Sequence, residues 1–253
     1  MGKVISFANH KGGVGKTCSC VNLGAGVSNF GKQGKQVLLI DLDPQANLTL
    51  SLGIQAPKLS IYEALTGKCT LTQALVKVSD KLHVIPANLD LSGAELELAS
   101  EAGREFILRE LLEPLRNKYD YIMIDCPPSL GLLTLNALTA SDQVYIPLQA
   151  QFLATQGLAK LNEVIEKVKK KLNKKLEIGG VVLTQYDHRK ILNRDVATTV
   201  EEFFKEKVFK TRIRDNVALG EAPSAGIDIF RYNPKCPGAV DYLALTKEMM
   251  ARA

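Results

Sequence analysis

Seven consecutive residues near the start of the chain have the composition of a phosphate-binding loop. They read Lys-Gly-Gly-Val-Gly-Lys-Thr at positions 11–17, between an apolar run at 4–8 and a helix-like segment. Backbone N–H groups of such a loop converge on an anion, and the helix N-terminus adds partial positive charge. Lys16 would reach the β- and γ-phosphates of a nucleotide, and the Thr17 hydroxyl would hold Mg²⁺. The loop therefore predicts a site for a nucleoside triphosphate and magnesium.

The loop departs from the usual phosphate-loop pattern at its start. That pattern has glycine where this chain has His10, and an additional lysine, Lys11, stands just before the glycines. Lys11 has little room to fold back onto the phosphates of its own loop. We therefore expect its side chain to point outward.

Acidic residues follow two further apolar runs. Asp41 and Asp43 end the run that begins at position 37, and Asp125 ends the run that begins at 121. Ligands of open α/β sheets bind at the carboxyl ends of the strands, where these acids would lie beside the loop. Asp125 would then bind Mg²⁺, through water, because this ion keeps much of its hydration. The alternative for each acid is a solvated carboxylate in a strand-end turn.

Strands and helices are expected to alternate along the chain. Apolar runs, several of them rich in Val, Ile and Leu, predict strands at 4–8, 36–41, 82–86, 121–125, 143–147, 178–184 and 208–213. Helical segments are expected at 16–30, 92–117, 131–139, 155–173, 190–206 and 238–251. A long, flexible turn is expected at 31–35. This alternation predicts an α/β fold with a doubly wound, mostly parallel sheet flanked by helices.

Composition limits the class of protein. A chain of 253 residues, 46% hydrophobic and 23% charged, is expected to form one globular domain spanning 1–253. It contains no run of 18 apolar residues and no visible signal peptide, so we expect neither a membrane span nor export. Five cysteines without a C-x-x-C pair indicate neither a disulfide framework nor a zinc site, and they favour a reducing cytoplasm. The net charge of +5 permits contact with nucleic acid or an anionic membrane.

The loop, Asp43 and Asp125 together resemble the ParA/MinD family of ATPases with a deviant Walker A loop. The resemblance extends from residue 3 to about 250. It implies a Mg²⁺-dependent ATPase with slow intrinsic turnover that forms a homodimer with ATP. In this family Lys11 would cross the dimer interface to the partner's nucleotide, and Asp43 would orient the attacking water. The residues thereby implicated in catalysis are Lys11, Lys16 and Asp43, and those near the metal are Thr17, Asp41 and Asp125.

The resemblance also gives the expected contacts to ATP. The phosphates would be bound by Lys11, Gly12, Gly13, Val14, Gly15, Lys16, Thr17 and Cys18. Cys18 stands where relatives usually have a second threonine, and a thiol at a helix N-terminus can have a lowered pKa. The sequence contains no clear motif for the residues that bind the adenine. By position in the fold, Gln185 and Ile213 are the expected contacts.

Segments in the last quarter of the chain resemble the partition branch of the family, the ParA/Soj type. They lie at 216–217, 221–224 and 232–235. In that branch, basic residues of these segments form a nonspecific DNA-binding surface on the ATP-bound dimer. The chain departs from the branch at 214–215, where it has Arg-Asp in place of Pro-Arg, and at Ala218, a commonly basic position. The candidate DNA contacts are Arg212, Arg214, Arg231 and Lys235, with a solvated surface charge as the alternative for each.

The resemblance implies a protein that positions a plasmid or a chromosome. Its partners would be nonspecific DNA and a centromere-binding protein of the ParB type that stimulates hydrolysis, without a membrane. It would be cytoplasmic and nucleoid-associated, in a bacterium or an archaeon. Larger members carry a separate DNA-binding domain before the ATPase domain, and we expect no such N-terminal extension here.

Two other functions are compatible with the same fold. A MinD-like switch for division-site placement would end in a basic amphipathic helix that enters the membrane. The segment 242–253 has only two cations and one acid, so we expect a helix packed on the core. A metabolic enzyme, such as an amide-forming ligase or a nitrogenase-like iron protein, would need a substrate pocket or paired cluster ligands. Cys126 is near a suitable position, but the sequence shows no partner for it.

Overall fold

The protein is built around one central β-sheet. The computed structural model describes residues 1–31, 34–151 and 154–252, and only the backbone of residues 154–156. Within these ranges the strands are β1 (Lys3–Phe7), β2 (Val37–Asp41), β3 (Val76–Lys77), β4 (Leu82–Ile85), β5 (Tyr121–Asp125), β6 (Gln143–Gln149) and β7 (Glu177–Thr184). Their order in the sheet is β3-β4-β2-β5-β1-β6-β7. All neighbouring pairs are parallel except β3 with β4, which confirms the predicted doubly wound, mostly parallel sheet.

Helices cover both faces of the sheet. They are α1 (Lys16–Ser28), α2 (Asn47–Ser51), α3 (Ile61–Leu65), α4 (Leu91–Glu97), α5 (Ile107–Leu112), α6 (Leu132–Ala140), α7 (Ala154–Lys171), α8 (Ile191–Phe204), α9 (Val217–Glu221), α10 (Ile229–Tyr232) and α11 (Pro237–Ala251). Residues of α3 to α8 form the apolar core on one face, and residues of α1, α2 and α9 to α11 form it on the other. Because both faces are covered, β2 and β5 are buried along their whole length and read as continuous apolar runs.

Strand register brings the predicted acids to one edge of the sheet. β5 lies between β1 and β2, and Asp125 is in register with Phe7 on one side and with Asp41 on the other. The phosphate-binding loop begins four residues after Phe7. The chemistry predicted from three separate parts of the chain therefore meets where these three neighbouring strands end.

The predicted strand at 208–213 is wrong. The backbone N–H groups of residues 209 and 213 donate to carbonyls of β7, at 2.9 and 2.8 Å, but no continuous ladder forms. The pairing is limited to isolated bridges, Val181 with Val208 and, just past both segments, Tyr186 with Arg214. Its middle is held by a side chain instead of a strand, because the Glu248 carboxylate of α11 accepts hydrogen bonds from the N–H groups of residues 210 and 211, at 2.8 and 2.9 Å. A regular ladder cannot form where a carboxylate takes the donors.

The predicted single helix at 92–117 is also wrong. The chain leaves helical geometry after residue 100 and returns to it in α5. Gly103 has a φ of 71° in the intervening turn. Asn136 of α6 stabilises that turn from both sides, since its side chain donates to the Arg104 carbonyl at 2.8 Å and accepts from the Leu108 N–H at 3.0 Å. The sequence contains the glycine but does not show that Asn136 lies opposite it.

The last helix packs as the sequence predicts. Tyr242, Leu245 and Met249 of α11 are buried, and Thr246 lies against Gly26 of α1, where an added Cβ would be 2.3 Å from its hydroxyl oxygen. Residue 253 of the predicted segment and residues 32–33 of the predicted turn lie outside the described residues. No helix in the described part of the chain is long and apolar enough to cross a membrane.

Candidate nucleotide-binding site

The glycine loop between β1 and α1 has the backbone geometry of an anion-binding loop. Gly13 and Gly15 have φ values of 72° and 84°, which residues with a side chain rarely adopt. Gly15 is the N-cap of α1 and has no side chain to occupy the helix N–H groups. The first turn of α1 is therefore free to receive a phosphate, and the helix dipole favours that negative charge.

Two residues at the end of β7 hold the loop in place. The Thr184 hydroxyl donates to the Val14 carbonyl at 2.8 Å, and the Gln185 side-chain amide donates to the Gly13 carbonyl at 3.0 Å. Gln185 has a φ of 48°, and its side-chain oxygen Oε1 accepts from the side-chain amide of Gln149 of β6. The predicted adenine contact Gln185 thus supports the phosphate loop directly. Thr184 was missed because nothing near it in sequence marks it.

Lys16 is buried beside carboxylates at the start of α1. Its side chain is folded over the loop, and its ammonium group donates to the Lys11 carbonyl at 3.2 Å. Burial lowers the pKa of Lys16, and the nearby Asp125 opposes that effect. In its predicted role, which stays a prediction, Lys16 would exchange the Lys11 carbonyl for a phosphate oxygen.

Asp125 and Thr17 form the centre of the predicted metal site. The Thr17 hydroxyl donates to one oxygen of the Asp125 carboxylate at 2.6 Å. Asp125 is fully buried, and its other oxygen, Oδ1, has no hydrogen-bond partner among the described residues. Burial and the neighbouring Asp41 raise the pKa of Asp125 well above its ordinary value. A buried carboxylate with an unpartnered oxygen is incomplete without a cation or a donor.

The donor atoms fit a magnesium ion. Mg²⁺ prefers oxygen ligands and keeps several waters, and it is usually held by one or two carboxylates together with substrate phosphates. The described residues contain no group of three or more His, Cys, Asp or Glu side chains that could hold a metal by themselves. The Thr17 hydroxyl and the Asp125 carboxylate would thus supply the protein ligands, directly or through water.

Asp41 is buried next to Asp125 but is occupied by protein donors. One carboxylate oxygen accepts from the Thr49 N–H at 2.8 Å and from the Thr49 hydroxyl at 2.6 Å, and the other accepts from the Asp43 N–H at 3.2 Å. Burial raises the pKa of Asp41 to about 6. These contacts tie β2 to α2, and the metal role of Asp41 stays a prediction.

Asp43 lies just past β2 and lines the same cavity as the phosphate loop. The cavity has a volume of about 330 Å³ and is also lined by Gly12, Lys16 and Thr17. One oxygen of Asp43 accepts from the Gln45 N–H at 3.0 Å. The structure thus brings Asp43 to the position from which it could orient a water, while that role itself stays a prediction.

Lys11 extends away from the loop toward the end of β6. Its ammonium group donates to the Gln151 side chain at 2.9 Å. The Lys11 N–H donates to the Asn9 side chain at 3.1 Å, and Asn9 in turn donates to the Pro147 carbonyl at 2.8 Å. Asn9 was missed by the sequence analysis. It fixes the start of the loop and lets the Lys11 side chain point outward, as expected.

A second cavity on the other side of Gly15 is the expected place for the base. It has a volume of about 510 Å³, and the predicted Gln185 and Ile213 both line it. Asn216 and Tyr242 also line it and were not predicted. The side-chain oxygen Oδ1 of Asn216 is buried without a partner among the described residues, so it could accept from an amino group of a base.

The pKa of the Cys18 thiol is raised, although a position at a helix N-terminus can lower it. Burial raises the pKa of this thiol, because the side chain is enclosed by its neighbours. The Tyr242 hydroxyl donates to its sulfur at 3.4 Å, and so does the Asn22 amide. Cys18 lines both cavities, but the thiolate is disfavoured there.

The four candidate DNA contacts fall into two groups. Arg212 is ion-paired with Glu201 at 2.5 Å, and Arg214 is ion-paired with Asp241 at 2.7 Å. Arg231 and Lys235 are exposed and make no ion pair with the residues that the structure describes. The cations of the second group are therefore available to a ligand, while those of the first are already compensated.

The chain is similar to known proteins over its whole length. A sequence model of the AAA domain family matches residues 2–178. The chromosome-partitioning ATPase Soj of Treponema pallidum (strain Nichols) is 46% identical over 253 residues, which is 100% of this chain and 98% of the relative. The sporulation initiation inhibitor protein Soj of Bacillus subtilis (strain 168) is 47% identical over 254 residues, with 99% of each chain covered.

Solved structures show the same architecture. Cobyrinic acid a,c-diamide synthase from Mycobacterium smegmatis, with bound ATP analog and magnesium, has a TM-score of 0.86 at 36% identity. The match covers 98% of this chain and 93% of that chain. The two Soj proteins share a larger part of their sequence with this chain than the amide synthase does.

Proposed function

Because the chain belongs to the AAA domain family matched above and, within it, to the ParA/Soj-type partitioning ATPases of the ParA/MinD group, we propose that it positions a plasmid or a chromosome. It is an ATPase, and its cofactors are ATP and Mg²⁺. The observation that carries the proposal is the meeting of the glycine loop, the buried Lys16 and the Thr17–Asp125 pair at the ends of three neighbouring strands.

The site residues have separate roles in the proposed hydrolysis. Phosphoryl transfer to water depends on positioning and electrostatic stabilisation more than on covalent chemistry. The loop amides and Lys16 would bind the phosphates, Thr17 and Asp125 would hold Mg²⁺, and Asp43 would orient water. When bound, Mg²⁺ neutralises charge on the β- and γ-phosphate oxygens. The cavity beside Gln185, Ile213 and Asn216 would take the adenine.

Dimerisation, DNA and a protein partner complete the proposal. Lys11 would leave Gln151 and reach the nucleotide of a second copy, so that dimer formation depends on ATP. The dimer would bind DNA through phosphate contacts of exposed cations, foremost Arg231 and Lys235. A centromere-binding protein of the ParB type would stimulate hydrolysis. The protein would work in the cytoplasm, on the nucleoid.

The test is binding to a random-sequence DNA duplex without nucleotide, with ADP and with ATP, each at two salt concentrations. Phosphate contacts make affinity insensitive to sequence and weaker at high salt. We expect binding only with ATP and Mg²⁺, and a loss of affinity with salt. Equal binding in all three nucleotide states, or none in any, would contradict the proposal.

The two alternatives receive less support. Buried residues of α11 face α1, where a membrane-inserting helix would need them free. Cys126 is fully buried and burial raises the pKa of its thiol, which disfavours a cluster ligand. Liposome co-sedimentation with ATP separates the first alternative from the proposal.

A further inference from the structure

Helix α6 begins without a capping side chain of its own. Its N-cap residue is Gly131, and the helix runs for nine residues from Leu132. The first N–H groups of a helix have no partner within it and are usually satisfied by the side chain of the N-cap residue. Glycine cannot supply one.

A distant glutamate supplies the missing acceptor. Glu95 of α4 accepts a hydrogen bond from the Leu133 N–H at 3.1 Å. A Cβ on Gly131 would be 2.3 Å and 2.8 Å from the two Glu95 oxygens, so a larger residue at this position would displace the carboxylate from the helix N-terminus. Its negative charge is favourable at the helix N-terminus. Glycine at 131 and glutamate at 95 are therefore two parts of one contact.

The segment between Asp125 and α6 contains Pro127 and Pro128 and is fixed at its two ends. At the start, the Cys126 N–H donates to the Phe7 carbonyl at 3.1 Å. At the end, the Thr134 hydroxyl of α6 donates to the Ser129 carbonyl at 2.6 Å. In between, Pro128 lies beside Gly12 and lines the same cavity as Lys16, Thr17 and Asp43. A shift of the α6 N-terminus would thus move a wall of the nucleotide site.

Helix α4 is a firm support for this contact. Leu91 and Ala94, on the same short helix, are fully buried in the apolar core. Glu95 makes no ion pair with the described residues that would draw its carboxylate elsewhere. The anchored backbone and the available carboxylate allow Glu95 to set the position of α6.

We propose that Glu95 is a positioning residue for Asp125, because it caps α6 and thereby fixes the segment 126–131 that joins the two. The inference rests on the proposed role of Asp125 in holding Mg²⁺. It adds to the machinery of the metal site a residue thirty positions before Asp125 in the chain, on helix α4, whereas Asp125 ends strand β5.

The test compares Glu95→Ala, Glu95→Gln and the matched control Glu97→Ala. Glu97 is exposed on the same helix and contacts Tyr62 and Lys68 instead of α6. In nucleotide-free protein, hydrogen exchange of peptides covering 126–136 should become about tenfold faster in Glu95→Ala, the factor expected from one lost capping hydrogen bond. The Mg²⁺ concentration for half-maximal hydrolysis should rise by about tenfold at saturating ATP, with nucleotide affinity in EDTA unchanged.

The Glu95→Gln variant distinguishes loss of the hydrogen bond from loss of the negative charge. Glu95→Gln keeps an acceptor for Leu133 and should shift exchange and Mg²⁺ requirement only about two- to fivefold. Glu97→Ala should shift neither. Unchanged exchange in both Glu95 variants, or an equal change in Glu97→Ala, would overturn the inference. If Glu95→Ala does not fold, the glutamine variant decides the same question.

A parallel titration of Asp125→Asn separates this inference from the proposed function. If Asp125→Asn leaves the Mg²⁺ requirement unchanged, the metal assignment itself is wrong and the inference fails with it. If Asp125→Asn raises the requirement and the Glu95 variants do not, only the inference is wrong.

Discussion

At the scale of single residues, the site concentrates unlike charges in a buried place. Burial raises the pKa of Asp41 and Asp125 and lowers that of Lys16. The buried environment therefore disfavours the charged form of each of these groups. A phosphate and a divalent cation would give Lys16 and Asp125 charged partners. The nucleotide-free site is thus prepared for a ligand that carries both charges.

Lys16→Ala should weaken ATP binding. The substitution removes the buried ammonium group aimed at the loop, and a charge-assisted contact to phosphate accounts for roughly 10- to 150-fold in affinity. The measurement is a titration with a fluorescent ATP analogue. Lys11→Ala is the matched control, because Lys11 points outward and should leave ATP affinity within a few-fold. Normal affinity in Lys16→Ala would refute the loop assignment.

The contribution of Asp41 to the stability of the metal-free and nucleotide-free protein should fall as pH rises from about 4 to about 6. The pKa of Asp41 rises from 3.8 to about 6 on burial, so in this window the folded protein keeps a proton that the unfolded chain has released. Proton binding by the folded state makes stability decrease with pH, by up to about 3 kcal/mol for this group. Asp41→Asn should remove that part of the slope in chemical denaturation at several pH values. An identical slope in wild type and variant would contradict the expectation.

The sequence predicted the site residues that lie next to the glycine loop or at the end of an apolar run. Lys16, Thr17 and Asp125 belong to this group, because local pattern and strand register together determine where they lie. Asn216 and Glu95 could not be predicted. Glu95 accepts from Leu133, and Asn216 lines a cavity together with Gln185. These residues are far apart in the chain, and a single sequence carries no signal that they lie close together.

At the scale of elements, ion pairs between side chains hold the last quarter of the chain in place more than backbone pairing with the β-sheet does. Asp241 of α11 accepts from the Arg214 backbone N–H at 3.0 Å and from its guanidinium at 2.7 Å. The Asp241 side chain is 11% exposed, so it depends on that partner. Arg214 therefore connects the irregular segment that follows α8 to α11, the last helix.

Substitution of the exposed cations should weaken DNA binding, whereas substitution of an ion-paired cation should lower stability. The double variant Arg231→Ala, Lys235→Ala should reduce the salt slope of DNA binding by about 2, one for each lost phosphate contact, without changing stability. Arg214→Ala should instead lower stability by about 1 kcal/mol, because it leaves a poorly exposed carboxylate unpaired. Salt-dependent binding assays and thermal unfolding measure the two effects.

The opposite pattern would reassign the DNA surface. If Arg214→Ala removes DNA binding at unchanged stability while the double variant binds normally, the ion pair with Asp241 must open on DNA. The exposed residues would then be ordinary surface charges.

The boundaries of some strands could be predicted from the sequence, whereas several helices could not. The apolar runs of β1, β2 and β5 were predicted to within one residue, since strands buried on both faces carry a continuous signal. The segment 92–117 has the composition of one helix but is divided by Asn136 from another element. The short helices α2, α3, α9 and α10 were missed, because four or five residues give no periodicity to detect.

At the scale of the whole molecule, Lys11 is the residue that would connect one copy of the chain to the nucleotide of a second copy. In the single chain it is hydrogen-bonded to Gln151, at the end of β6. Release from that contact would let it bind a nucleotide outside its own loop. The proposed dimer therefore competes with a contact inside the monomer.

Lys11→Ala should bind ATP and stay monomeric. The cation supplied to the partner would be absent, while Lys16 still holds the phosphates. Light scattering with ATP and Mg²⁺ measures the mass. Gln151→Ala is the control, since it removes the contact inside the monomer and keeps the cation, so it should dimerise at the same or a lower protein concentration. A normal ATP-dependent dimer of Lys11→Ala would exclude the role across the interface.

The place of β1 in the sheet has a consequence for the synthesis of the protein. β1 is made first, but it lies between β5 and β6, whose residues follow more than a hundred positions later. At ribosomal rates of about 5–20 residues per second, these neighbours appear on the order of ten seconds after the loop. The nascent chain therefore carries a complete phosphate-loop sequence that has no sheet to hold it, and ATP cannot assist folding until most of the protein has left the ribosome.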